Sequence, residues 1–356
     1  MSKIRVLVVD DSLFMRQMIT DLLSADPDIE VVGSARNGQE GLEFARQLQP
    51  DVITLDVEIP VMDGVTMLER LMTAQPTAVV MVSSLTKEGA EVTMRSLELG
   101  AVDFVTKPSG SISLDLYKIP SQIVEKVKAA ARVPRFRLRA LAQSVRVLPP
   151  ASVPPPSRTA SPSKVLVVVG CSTGGPRALT TLLGALPADF SAPMLIVQHM
   201  PEGFTRSLAD RLDRLSPLRV CEAAAGDRLQ AGVAYLAPGG HHLKLGAGLC
   251  LQLSQEPPVH GVRPAVDVTL LSVAQHFSGS VVVAILTGMG SDGAMGARTL
   301  HAKGARVLVE DESTCVVFGM PRAVIRAGCA DRVVPLDRMA HALYEEVQTL
   351  CRPHVA

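Results

Sequence analysis

The sequence predicts an α/β protein made of two units, each built around a largely parallel sheet. Three observations lead there. Short β-branched runs alternate with segments whose apolar residues recur at helical spacing. The runs are apolar throughout rather than at every second residue, the pattern of strands covered on both faces. Two such series are separated by a stretch rich in Pro, Ser and Arg, Val133 to Ser163, that contains no acidic residue. A chain of 356 residues, 47% of them hydrophobic, is long enough for two cores.

The first series covers residues 1–132. IRVLVV (4–9), EVVG (30–33), DVITLD (51–56), AVVMVS (78–83) and DFVTKP (103–108) read as strands. The segments between them, and the stretch after Pro120, read as helices. Five strands alternating with helices predict a flavodoxin-like, doubly wound parallel sheet. Residues 133–163 read as a semi-rigid exposed linker, with LPPASVPPPSRTASPSK at its end.

The second series covers 164–352. Strands are expected at 165–169, 193–198, 233–237, 281–287 and 306–310. Helices are expected at 176–186, 203–214, 266–278, 293–302 and 337–350. LKLGAGLCLQL reads as a hairpin with a glycine turn. The second unit is therefore expected to be a Rossmann-like α/β domain with an antiparallel hairpin. The two halves share an architecture but no repeated motif.

Composition narrows the function. With 35 basic and 35 acidic residues, net charge gives no reason to expect a nucleic-acid partner. A transcription factor would need a basic recognition helix, and none stands out. The six cysteines have neither CxxC nor zinc-ligand spacing and read as reduced thiols. No G-x-G-x-x-G, Walker lysine or H-E-x-x-H occurs, which speaks against a dinucleotide enzyme or a zinc esterase. The longest apolar runs, such as Val281 to Leu286, are far shorter than a membrane span. The apolar stretch after Lys3 and Arg5 stops at Asp10-Asp11, which argues against a signal peptide. A cytoplasmic protein without membrane insertion is expected.

Two constellations carry chemistry. In the first unit, Asp10 and Asp11 follow the first strand, Asp56 ends the third, Ser83 the fourth and Lys107 the fifth. In a parallel sheet these ends share one edge, where α/β folds place their sites. Strand-end aspartates also cap helices, but their joint appearance points elsewhere. Crowded carboxylates repel unless a divalent cation neutralises them, and hard oxygen ligands suit Mg²⁺. Asp56 then attacks a phosphoryl group, Lys107 offers charge to the transferred oxygens, and Ser83 hydrogen-bonds the new group.

In the second unit, the run VLVVVGCSTGGP breaks from strand into glycine-rich turn at Ser172. A serine on such a bend is either a helix cap or a nucleophile beside ready N–H donors. A nucleophile needs a base and an orienting acid. Of eight histidines, His199 follows the strand MLIVQ and would emerge beside Ser172; His241 and His242 lie in a glycine-rich loop, and His260, His276 and His301 read as surface residues. Two aspartates compete for the third role. Asp292 follows VVVAILTGMGSDG, and Asp267 sits at a helix start where capping explains it. Asp292 is the better choice because its strand would align with the other two. The N–H groups of Thr173 and Met289 are the expected oxyanion donors. Gly170 to Gly174 fits G-x-S-x-G, yet the order Ser, His, Asp is not that of an α/β-hydrolase.

VVDDS (8–12), LDVEIPVMDG (55–64), VMVSSLT (80–86) and DFVTKP (103–108) resemble a response-regulator receiver domain. The resemblance implies phosphorylation of Asp56 by a chemotaxis histidine kinase, with Mg²⁺ held by Asp10, Asp11, Asp56 and the backbone carbonyl of Glu58. It also implies a switch pair, Ser83 and Phe104. GCSTGGP (170–176), VQHMP (197–201), YLAPGG (235–240), ILTGMGSDGA (285–294) and CVVFGMPR (315–322) resemble the CheB-type methylesterase domain. That resemblance implies a metal-free Ser172–His199–Asp292 triad that hydrolyses glutamyl methyl esters on methyl-accepting chemoreceptors. Many members of the family also deamidate receptor glutamines.

Overall fold

Apolar strands and capped helices assemble as two compact units, 1–147 and 148–356. The structure, a computed structural model, describes residues 2–107, 119–143 and 164–351. Pro108, most of the expected linker and residue 352 lie outside the described residues.

The first unit contains β1 (Ile4–Val9), α1 (Leu13–Ser24), β2 (Ile29–Ala35), α2 (Gly38–Leu48), β3 (Val52–Asp56) and α3 (Gly64–Ala74). It continues with β4 (Ala78–Ser83), α4 (Lys87–Glu98), β5 (Asp103–Thr106), α5 (Ile119–Ala131) and α6 (Arg135–Gln143). The sheet order is β2-β1-β3-β4-β5, with every pairing parallel. All five expected strands are present. Residues of β3 and β4 are buried along their whole length, as strands with helices on both faces must be. The order reverses between β1 and β3, so their C-terminal ends open a crevice there. Side chains of Ser12, Asn37, Asp63 and Thr86 cap α1 to α4 by accepting backbone N–H bonds.

The second unit contains β6 (Val165–Cys171), α7 (Gly175–Gly184), β7 (Met194–Gln198), α8 (Phe204–Leu215), β8 (Arg219–Glu222), β9 (Val233–Leu236), β10 (His242–Leu245) and β11 (Leu251–Ser254). It continues with α9 (Val266–His276), β12 (Ser280–Ile285), α10 (Ala294–His301), β13 (Arg306–Glu310), α11 (Met320–Arg326), β14 (Arg332–Val334) and α12 (Leu336–Cys351). Seven strands form one parallel sheet in the order β14-β13-β12-β6-β7-β9-β8. The expected hairpin is β10-β11, antiparallel, with Leu245 opposite Leu251. Its turn passes through Gly248 at φ 68°. The central β6 lies between β12 and β7. The topological reversal at β6 and β12 brings the ends that carry Ser172, His199 and Asp292 to one edge.

Four elements differ from the sequence reading. The stretch read as linker begins with a helix, α6, which packs on α3. Leu138 is 3% exposed and Val133 is buried, so two apolar residues hold this arginine-rich turn of chain against the first unit. β8 (RVCE) and β14 (RVV) are short edge strands that bury little and carry charges, so they lack an apolar run. α11 is a helix of 7 residues, entered through Pro321.

Candidate active site

In the second unit the register places Cys171 of β6 opposite Gln198 of β7. Ser172 and His199 are the next rung. The Ser172 N–H donates to the Thr287 carbonyl at 3.0 Å, and the Gly175 N–H donates to the Ser172 carbonyl at 2.8 Å. These bonds fix the bend that turns the serine out of the sheet. Gly174, at φ 81°, completes the bend in a conformation that disfavours side chains. Gly288 passes so close that a methyl group there would stand 2.8 Å from Ser172 Cβ.

His199 Nε2 is 2.7 Å from Asp292 Oδ2. A carboxylate accepts, so Nε2 carries the proton and Nδ1 is left as the basic nitrogen. Among the described residues neither His199 Nδ1 nor the Ser172 hydroxyl makes a hydrogen bond. Catalytic hydrogen bonds of this kind often close only when substrate binds. Asp292 is 2% exposed. Its Oδ2 also accepts the Val266 N–H at 2.6 Å, and its Oδ1 accepts the Asp267 N–H at 2.8 Å. The carboxylate thus sits on the N-terminus of α9, where orphan N–H groups and the helix dipole favour an anion. Burial pushes its pKa up, but the His199 bond and charge, together with the two N–H donors, outweigh it. The carboxyl is held below the ordinary aspartate range.

Asp267, the competing acid, does not touch His199. It stands one step behind, its Oδ1 accepting the Gly296 N–H at 2.7 Å and its Oδ2 2.9 Å from His260 Nε2. Met289 lies beside the site, and its N–H makes no hydrogen bond among the described residues. Thr173 is buried, and its carbonyl accepts the Thr287 hydroxyl at 2.9 Å.

Two neighbours escaped sequence reasoning. Gln198 is buried and donates from Nε2 to the carbonyls of Ser172 and His199, both at 3.0 Å. It ties the two rungs together, and a polar residue closing the apolar run MLIVQ was the available signal. His260, read as a surface residue, lies against the two aspartates. Cys171 is fully buried with Sγ 3.1 Å from Gln198 Oε1, and burial pushes its thiol pKa up.

In the first unit Lys107 Nζ stands 2.6 Å from Asp56 Oδ2 and 3.4 Å from Asp10 Oδ2. Carboxylate oxygens of Asp10, Asp11 and Asp56 all lie within 4.8 Å of one another. Burial raises the pKa of Asp56 to about 6 against the pull of Lys107, with Asp10 adding to the rise. Asp10 is raised by burial too. Apart from the longer Lys107 contact, Asp10 Oδ2 is buried without a hydrogen-bond partner. A set of oxygen donors with an under-used buried oxygen fits a hard divalent cation. The Glu58 N–H donates to Asp56 Oδ1 at 3.3 Å, which brings the Glu58 backbone alongside.

Ser83 is turned toward α4. Its hydroxyl donates to the Gly89 carbonyl at 3.2 Å and lies 2.7 Å from Thr93 Oγ1. Phe104 is buried, with Lys126 Nζ 5.1 Å above its ring.

Comparison with known proteins identifies the family of both modules. Residues 167–343 match the family described as CheB methylesterase, and residues 6–116 match the response regulator receiver domain. A Symbiobacterium thermophilum protein named protein-glutamate methylesterase/protein-glutamine glutaminase is 53% identical over 351 residues, 97% of each chain. A Geobacillus kaustophilus protein of the same name is 50% identical over 349 residues, 97% of this chain and 99% of its own. The crystal structure of the Thermotoga maritima CheB methylesterase catalytic domain is 46% identical, with a TM-score of 0.49 over 51% of this chain and 97% of that one. No described helix is long and apolar enough to cross a membrane. With half its residues shared with full-length relatives and both modules in the same order, the chain belongs to the CheB family of receiver-linked methylesterases.

Proposed function

We propose that this chain is a phosphorylation-activated protein-glutamate methylesterase that works in the cytoplasm on methyl-accepting chemoreceptors, and that it also deamidates receptor glutamines. The observation that carries this reading is the 2.7 Å contact of His199 Nε2 with Asp292 Oδ2, His199 following Gln198 as Ser172 follows its register partner Cys171. Ser172 is the nucleophile, His199 the base and Asp292 the orienting acid.

His199 Nδ1 takes the hydroxyl proton as Ser172 Oγ bonds to the ester carbonyl carbon. The carbonyl electron pair moves to oxygen, and the N–H groups of Met289 and Thr173 hold that oxyanion. Collapse breaks the bond to the methoxy oxygen, which receives the proton from His199 and leaves as methanol. Water, deprotonated by the same imidazole, bonds to the acyl carbon; the bond to Ser172 Oγ breaks, Oγ takes the proton back from His199, and glutamate leaves. With a glutamine side chain the leaving group is ammonia. Asp292 stabilises the imidazolium formed twice in this cycle.

In the receiver, Asp56 accepts a phosphoryl group from a chemotaxis histidine kinase. Asp10, Asp11, Asp56 and the Glu58 carbonyl are the residues that would hold Mg²⁺. When bound, the ion offsets the charge of the carboxylates and of the phosphoryl oxygens. Lys107 offers charge to the same oxygens. Ser83 leaves its bonds to α4 to meet the phosphoryl group, Phe104 being its partner in the switch.

The test is methanol release from methylated receptor membranes, with and without a small phosphodonor. Release that rises with the donor and disappears in Ser172→Ala is the expected result. An active Ser172→Ala protein overturns the serine mechanism.

A further inference from the structure

Behind the carboxylate of Asp292 lies a second one. Asp267 is as deeply buried as Asp292, and its backbone N–H already bonds Asp292 Oδ1. Two buried carboxylates at this range repel each other. Burial is the larger cause that pushes Asp267 upward, and Asp292 adds to it. A side chain that brings a donor to the remaining oxygen of Asp267, Oδ2, relieves that repulsion.

His260 is that side chain. Its Nε2 stands 2.9 Å from Asp267 Oδ2 and 3.8 Å from Asp292 Oδ1. Among the described residues, His199 and His260 are the two whose side chains contact this carboxylate pair. His199 approaches Asp292 from one side, and His260 approaches through Asp267 from the other.

The backbone shows how the ring is delivered there. His260 has φ 54°, in the left-handed region that residues with a Cβ seldom adopt. Glycine would suit the position better, as at Gly261, which follows at φ 75°. Burial of apolar surface does not explain the ring, whose side chain is 39% exposed. Val259 and Val262 exchange both backbone hydrogen bonds, at 3.1 and 3.0 Å, across the two-residue turn His260-Gly261; such a turn needs positive φ at both positions, and it sets the ring against the buried carboxylates.

We infer that His260 is a positioning residue of the esterase. Its Nε2–H satisfies Asp267 Oδ2 and keeps that carboxylate from displacing Asp292, so that Asp292 Oδ2 stays on His199. The inference rests on the esterase reading of Ser172, His199 and Asp292. His260 makes no hydrogen bond to Ser172, Thr173 or Met289 among the described residues. Its loss therefore acts on the chemical step and not on substrate binding.

The full-length His260→Gly protein tests this, because glycine relaxes the backbone while removing the imidazole. On methylated receptor membranes kcat falls about tenfold, the scale of loss when a partner that orients a site ligand is removed, while KM and the unfolding temperature hold. Free imidazole, entering from solvent at this half-open position, restores part of kcat. His260→Gln, which keeps a nitrogen donor near the Nε2 position, retains more activity than His260→Gly. An unchanged kcat in His260→Gly overturns the inference. So does a loss that follows a lowered unfolding temperature and ignores imidazole. Wild-type protein and Ser172→Ala are run beside it. A silent wild type, or an active Ser172→Ala, overturns the esterase reading itself. With an active wild type and a silent Ser172→Ala, the esterase reading stands and the His260 variants alone decide the inference.

Discussion

Asp292 holds the His199 imidazole at 2.7 Å with the same oxygen that accepts the first N–H of α9, at 2.6 Å from Val266. The helix N-terminus and the imidazole share one oxygen, and Asp267 N–H fastens the other. A carboxylate pinned at three points resists rotation away from the base. That rigidity is what orienting a catalytic imidazole requires.

Asp292→Asn keeps the shape but reverses the logic of one oxygen. An amide NH₂ facing His199 donates where the carboxylate accepted, which favours the wrong tautomer. At that position the NH₂ also meets the Val266 N–H, and flipped to the other position it meets the Asp267 N–H, in each case another donor. Activity is expected to fall by about four powers of ten, as for the corresponding change in other triads. Methanol release under saturating substrate measures it, and a loss of less than tenfold would remove Asp292 from the proposed triad.

Gly288→Ala probes the floor of the site. The added methyl would sit 2.8 Å from Ser172 Cβ, closer than such carbons approach. The same methyl runs into the Met320 sulfur, so the Met320 side chain must move along with Ser172 or the β12 exit. The expected cost is about 1–3 kcal/mol of stability, with a loss of turnover larger than the stability change explains. Thermal unfolding and turnover on the same preparation check this. An alanine variant with native activity would mean that this approach does not position the nucleophile.

Much of this was legible in the residues. Strands such as Val165–Cys171 and Ala78–Ser83 are buried on both faces, so their apolar runs are continuous and easy to read. Strand ends follow once the strands are known, which is why Ser172, His199 and Asp292, and likewise Asp56 and Lys107, could be named together as candidates. What escaped lacks either signal. RVCE and RVV are edge strands, and α6 hides its packing in one leucine among arginines. His260 is a loop residue, and its role depends on the tertiary approach of α9 and the chain before α10. No spacing rule reports that approach.

Lys107 joins Asp56 and Asp10 as the one cation reaching both carboxylates among the described residues. Phosphorylation replaces a singly charged acceptor with a group that takes up more of that cation. Asp56→Asn is therefore expected to abolish stimulation of methanol release by a small phosphodonor in the full-length protein. The comparison is the ratio of rates with and without donor. A ratio as large as that of the wild type would place the phosphoacceptor elsewhere.

The lowered Asp292 carboxyl also predicts how stability varies with acid. A group whose folded pKa lies below its unfolded value near 3.8 stabilises the fold fully above that value. The contribution disappears as pH falls from about 4 through the folded pKa. Asp292→Asn cannot titrate there, so it is less stable than the wild type at neutral pH. The expected gap is about 1–3 kcal/mol, the scale for a buried hydrogen bond to a charged group. Below pH 4 the gap narrows, because the unfolded wild type then binds a proton at Asp292 that the folded protein does not. Asp267, raised by burial, has the opposite slope but is present in both proteins. Denaturant unfolding of the esterase unit, followed at neutral pH and again near pH 3, measures the two gaps. A gap that stays constant across that range would show that the charge on Asp292, with its bonds to His199, Val266 and Asp267, contributes nothing to the fold.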